Sequence, residues 1–150
     1  MFASGVTLMT VRDGRDDIGA TVSAFCPVSL SPPLVMVSLI AASYPAEVLG
    51  RAGRFAVTVL AEGQRALAGR FAATGRPGAR LLLDDVPHQR GPASGALIAG
   101  GGLAALECEI SQRVPAGDHL LVIAAVVAIT YVAGRGRPLL RFAGRYPPLR

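Results

Sequence analysis

The chain of 150 residues has no lysine: its fifteen basic residues are all arginine, set against ten acidic ones for a formal charge of +5. The arginines are scattered from Arg12 to Arg150 and form no cluster with interleaved aromatics. The footprint of a nucleic-acid surface is therefore missing, although an anionic small ligand such as a phosphate or nucleotide suits the charge. Cysteine is scarce too. Cys26 and Cys108 lack metal-type spacing and sit in apolar surroundings, so they read as reduced, buried thiols of a cytoplasmic protein. The two histidines, His88 and His119, have no partner at metal-ligand spacing, and no zinc or iron site is expected. The longest apolar run, Leu120 to Ile129, is too short to span a bilayer. The start, Met1 to Gly5, lacks the basic region and apolar core of a signal peptide. Neither export nor membrane insertion is expected.

Catalytic signatures are absent as well. There is no Gly-x-Ser-x-Gly elbow, P-loop or dinucleotide fingerprint, and Gly100-Gly101-Gly102 lacks a strand-to-helix context. Asp16-Asp17 and Asp84-Asp85 lie in turn-like segments and read as surface charges. A hydrolase built on a triad or an acid pair finds no support.

What is present is β-strand patterning in a chain of single-domain length, enough to bury roughly 68–70% of its unfolded surface. Val6, Leu8 and Thr10 alternate with Thr7, Met9 and Val11, a strand apolar on both faces that ends at an Asp13-Gly14 turn. The chain returns through Ile18 into a second strand, Ala20 to Phe25. There Thr21 and Ser23 fall on one face, Val22 and Ala24 on the other. A linker carrying Ser29, Ser31 and Pro32-Pro33 follows, and the diproline marks a bend that delivers the chain into a third strand, Leu34 to Leu39. Ser43, Pro45 and Glu47 make a helix start, with the helix ending near Gly50 to Gly53.

Phe55 to Leu60 reads as a fourth strand and Glu62 to Ala73 as a helix with Leu67 and Phe71 on one face. The glycine-punctuated stretch from Thr74 to Gly102 is expected to be the most mobile part. Leu103 to Val114 turns Leu106, Cys108 and Ile110 inward and Glu107, Glu109 and Ser111 outward. After the Pro115 to Asp118 turn, His119 to Val132 is so uniformly apolar that both faces must be covered, one of them by another subunit. Pro138 to Phe142 with Arg145-Tyr146 closes the sheet. About seven strands and two short helices fit a closed Greek-key barrel better than a parallel βαβ fold.

Taken together, the segments resemble the flavin reductase family of the FMN-binding split-barrel fold, the reductase components of two-component monooxygenases. The resemblance rests on Gly5-Val6-Thr7, Gly19 to Phe25, Val28 to Val35, Phe55 to Leu60 and Leu67 to Ala72. It continues in Leu106-Glu107-Cys108, Gly117-Asp118-His119 and Gly144-Arg145-Tyr146. It covers nearly the whole chain in order, as one domain over residues 1–150. It implies a mainly β Greek-key split barrel with two short helices, forming a homodimer that binds FMN or FAD near the subunit interface. NADH or NADPH would be the hydride donor and a monooxygenase the consumer of the reduced flavin. By the same resemblance Thr21, Val22, Ser23 and Ala24 border the isoalloxazine, Ser38 and Ser43 approach the ribityl phosphate, Arg80 is a basic flavin contact, and His119 sits by the nicotinamide.

Two departures stand out. Ile40-Ala41-Ala42 occupies positions where polar and basic residues commonly precede the serine, and Pro45 replaces a threonine. They motivate an alternative in which a flavin- or small-ligand-binding dimer has lost reductase activity. A split-barrel oxidase acting on a phosphorylated amine is a third reading.

Overall fold

The structure, a computed structural model, describes residues 2–149. Its order is β1 (Ser4–Gly5), β2 (Thr7–Asp13), β3 (Asp16–Val22), β4 (Phe25–Leu30), β5 (Pro33–Ile40), α1 (Tyr44–Arg51) and β6 (Arg54–Val59). A 3-10 turn (Glu62–Gln64), α2 (Arg65–Ala72) and α3 (Ala79–Leu82) come next. They are followed by β7 (His88–Arg90), β8 (Leu97–Ala99), β9 (Ala104–Ala116), β10 (His119–Val132) and β11 (Leu140–Arg141).

Seven strands make one antiparallel sheet in the order β3-β2-β6-β9-β10-β5-β4. The sheet is split rather than closed. Its two end strands, β3 and β4, are consecutive in the chain yet share no ladder, and only Ser23 and Ala24 bridge them. β3 and β5 approach across the gap, and one backbone bond, from Ser38 N to Ala24 O at 2.9 Å, ties the seam. This is the split arrangement that the resemblance implies, and not the closed barrel suggested by the strand count alone.

β2 is buried on both faces because a core lies on each side. Met9 and Val11 join Val22, Val37, Val57, Phe55 and Val122 inside the curl, where α1 adds Ala46, Val48 and Leu49. On the other side Leu8 packs with Leu67, Phe71, Ala79 and Leu83, which α2, α3 and the turn after α3 supply. Each of the valine, leucine, methionine and phenylalanine side chains among them contributes roughly 1.5–3 kcal/mol on leaving water.

The structure revises several expectations. The presumed linker holds a real strand: Phe25 to Leu30 pairs with β5, and Pro27 is tolerated because β4 is an edge. Residues 74–102 are built into the second core through Ala79, Leu83, Leu97 and Ala99, and contain a helix and the β7–β8 hairpin. Glu107 points inward at 1% exposure, accepting bonds from Ala93 N, Ser94 N and Ser94 Oγ, since the 91–96 loop folds over that face of β9. β11 pairs with β1 and leaves the main sheet alone. The distal part of β10 lies uncovered in the single chain, with Ile129 62% and Val132 70% exposed.

Candidate functional site

The seam between β3 and β5 opens into a cleft of about 310 Å³. Strands β3, β5 and β10 and helices α1 and α2 build it. Gly19 on β3 brings the strand against α2: a Cβ there would lie 2.5 Å from Cε1 of Phe71, so only glycine permits the approach. Thr21 Oγ1 donates to the Ala68 carbonyl at 2.6 Å and pins β3 to the same helix. Ser43 caps α1, its hydroxyl accepting from Ala46 N at 3.3 Å with Pro45 in the first turn. The far end of α1 is gripped by Arg113, which donates to the carbonyls of Leu49 and Ala52 at 2.8 and 2.7 Å. Finally, Gly117 (φ +60°) turns the chain so that β10 starts at His119, paired with Ile40 and two positions from the Leu121–Ser38 pair.

These elements bring Thr21, Val22, Ser23, Ala24, Ser38, Ser43 and His119 to one cavity. Val22 turns its side chain into the core, so only its backbone faces the cleft side. The hydroxyls of Thr21 and Ser43 are engaged in bonds that hold the walls. His119 Nδ1 lies 2.7 Å from Oδ1 of Asp118, and that hydrogen bond holds the Asp118 carboxyl below its usual range.

Arg80 is not among the cleft residues. Its guanidinium donates to Asp17 at 3.1 Å in a neighbouring cavity. Asp17 is no surface charge but 5% exposed; burial opposes its ionisation, yet bonds from Arg90 and Arg80 outweigh burial and keep its carboxyl below the ordinary value.

The guanidinium that does reach the cleft is Arg76, which sequence reasoning missed. It donates from Nε to Gly19 O at 2.9 Å and from Nη1 to Ala73 O at 3.2 Å, and has no carboxylate partner among the described residues. Burial makes its charge costly, pulling its pKa below the usual arginine value. A half-buried cation held only by carbonyls can still take an anionic partner. The one legible sign was Arg76-Pro77 inside a glycine-rich stretch, 33 residues past Ser43 and on no shared element. Among the described residues no group of acidic, histidine and cysteine side chains is arranged to hold a metal ion.

The chain is similar to known proteins along its whole length. The flavin reductase like domain model matches residues 1–150. The chain is 34% identical over 150 residues to the NADH-dependent FMN reductase of Streptomyces nodosus subsp. asukaensis, covering 100% of this chain and 80% of that protein. It is 37% identical to the reductase component of 4-hydroxyphenylacetate 3-monooxygenase from Thermus thermophilus, covering 97% of this chain and 88% of the relative. Among solved structures, the Streptomyces globisporus NADH:FAD oxidoreductase in complex with NAD and FAD fragments superimposes with a TM-score of 0.91 at 33% identity. That match covers 99% of this chain and 87% of the other.

Proposed function

The chain belongs to the flavin reductase like domain family, and from that premise we propose that it is an NADH-dependent flavin reductase whose reduced flavin serves a monooxygenase. The observation that carries this reading is the seam itself, a cleft edged by serine hydroxyls with one uncompensated guanidinium, Arg76, at its end. That set fits a flavin nucleotide. The walls from Thr21 to Ala24 border the ring, Ser38 lies toward the ribityl chain, and Arg76 neutralises phosphate where Ile40-Ala41-Ala42 supplies no charge. Arg76 thus answers the departure that favoured a binding protein without activity.

When bound, the flavin accepts the hydride that the nicotinamide gives up, and positioning is the protein's main task. His119, at the cleft mouth and oriented by Asp118, holds the nicotinamide end. NADPH is the alternative donor. No helix among the described residues is long and apolar enough to cross a membrane, and the free thiols of Cys26 and Cys108 support a cytoplasmic setting. The uncovered distal end of β10, with Val127, Ile129 and Val132, supports a homodimer.

The test is oxidation of NADH or NADPH followed with FMN or FAD present. Turnover is expected, and none with any pairing overturns the reading. His119→Ala is expected to raise the NADH KM several-fold while flavin Kd holds; the opposite pattern removes His119 from that role.

A further inference from the structure

The net charge of the chain sits in one stretch. Residues 1–118 hold ten arginines and ten carboxylates, which cancel, and the last acidic side chain is Asp118. The whole formal charge of +5 therefore lies on Arg135, Arg137, Arg141, Arg145 and Arg150, the last of which is outside the described residues.

The fold draws the other four toward Arg65 of α2. Glu62 N donates to Arg137 O at 2.8 Å and Leu139 N to Leu60 O at 2.9 Å, so the tail runs beside the residues that lead into that helix. The Tyr146 ring then takes the Arg65 guanidinium at 5.7 Å and that of Arg141 at 6.0 Å. A tight turn through Ala143 (φ +49°) and Gly144 (φ +75°) returns Arg145 to the level of Phe142, the two residues exchanging backbone bonds of 2.9 Å. Arg65, Arg135, Arg137 and Arg145 are exposed, and Arg141 is half-buried. None of the five reaches a side-chain carboxylate among the described residues, and Glu62, on the adjoining segment, makes no ion pair either. By contrast Arg51, Arg54, Arg70, Arg80 and Arg90 each hold one. Like charges gathered in this way repel one another and weaken the compact state, while they attract anions from solution.

This surface adjoins the cleft. Arg141, Ala143 and Gly144 wall a cavity of about 510 Å³ on one side, and Ser23 and Ala24, which also line the cleft, wall it on another. A field of one sign beside a cleft raises the local concentration of an oppositely charged ligand and speeds its arrival by about 10- to 1000-fold. We propose that the arginine surface of the C-terminal tail and α2 gathers phosphate-bearing nucleotides from solution and steers them to the cleft, serving their capture and not the hydride transfer. This rests on the reductase reading, in which NADH and FMN or FAD all carry phosphate. The surface acts through solvent, so the sign and number of its charges matter and the shape of each side chain does not.

The test is kcat/KM on the full chain at about 10 mM and about 1 M ionic strength, where charges are screened over roughly 30 Å and 3 Å. The wild type is compared with the triple variant Arg135→Gln, Arg137→Gln, Arg145→Gln and with the triple lysine variant at the same positions. Two pairings separate the sources of phosphate: NADH with riboflavin, and reduced nicotinamide riboside with FMN. Reduced nicotinamide riboside with riboflavin carries none, and NADH with FMN is the reference.

At low ionic strength the glutamine variant is expected to lose roughly three- to tenfold in kcat/KM for the phosphate-bearing substrate of at least one mixed pairing, and less than twofold at high ionic strength. Its kcat is expected to hold, the lysine variant to match the wild type, and the phosphate-free pairing to be unaffected. Equal kcat/KM in wild type and glutamine variant at low ionic strength, with turnover intact, overturns this inference and leaves the reductase reading standing. A loss that persists at high ionic strength, or that is as large without phosphate, also overturns it and makes the arginines structural. Absence of turnover in every pairing, NADH with FMN included, overturns the reading of the cleft as well.

Discussion

Asp17 and Gly19 stand two residues apart on β3, yet the arginines that meet the strand at these points are built in opposite ways. At Asp17 a buried carboxylate receives Arg90 at 2.8 Å and Arg80 at 3.1 Å, so charge is answered by charge. At Gly19 the Arg76 guanidinium finds only carbonyl oxygens. In the first cluster two arginines hold one buried carboxylate and join β3 to α3 and β7, a structural role. The second carries a positive charge that nothing in the described chain neutralises. In the flavin reading proposed above, this unpaired charge beside the cleft is the one that a ligand's phosphate meets.

The contrast can be broken most sharply at Asp17. Asp17→Asn leaves Arg90 and Arg80 facing each other without an anion. It is expected to cost about 3 kcal/mol in denaturant unfolding, the low end for a broken buried pair because Arg80 stays mostly in water. A loss under about 1 kcal/mol would make the cluster ornamental. Arg76→Gln is expected to do the reverse, weakening flavin binding roughly ten- to a hundredfold while stability stays within about 1 kcal/mol. Should it destabilise the fold and spare the flavin, Arg76 is structural and the contrast fails.

Gly19→Ala sharpens it. The added methyl group would meet Phe71, and the repacking is expected to cost about 1–2 kcal/mol and to crowd the cleft; Phe71→Leu in the same chain should recover part of both losses. The smallest effect is the acid limb. Asp17 titrates below its ordinary value of 3.8, so its contribution is full above that value and is lost as pH falls through the lower folded pKa. Thermal melts from pH 5 down to pH 3 should show a shallower decline in Asp17→Asn than in the wild type.

Much of the fold was legible because it is local. The β2–β3 hairpin is written in the Asp13-Gly14 turn, α1 in its Ser43 cap and Pro45, and the β9–β10 hairpin in the Gly117-Asp118 turn. The apolar repeat of β2 announced burial on both faces, and two cores supply it. Illegible were the features that depend on which distant segment lies opposite. Glu107 alternates like an outward residue, and only the 91–96 loop, folding over it with two amides and a hydroxyl, makes burial tolerable. The segment from 74 to 102 has the composition of a loose loop, and its order comes from Ala79, Leu83 and Leu97 packing on α2 and β2.

The site divides along the same line. By itself the sequence determined the family and the inner rim of the cleft. Those residues sit on short elements whose turns, caps and alternation are set by neighbours in the chain. The tertiary structure alone decided that Arg80 is spent on Asp17 and that Arg76 reaches the cleft across 57 residues to Gly19. The physical reason is that a charge's role depends on what else is buried within a few ångströms of it, and that company is assembled only when remote segments pack.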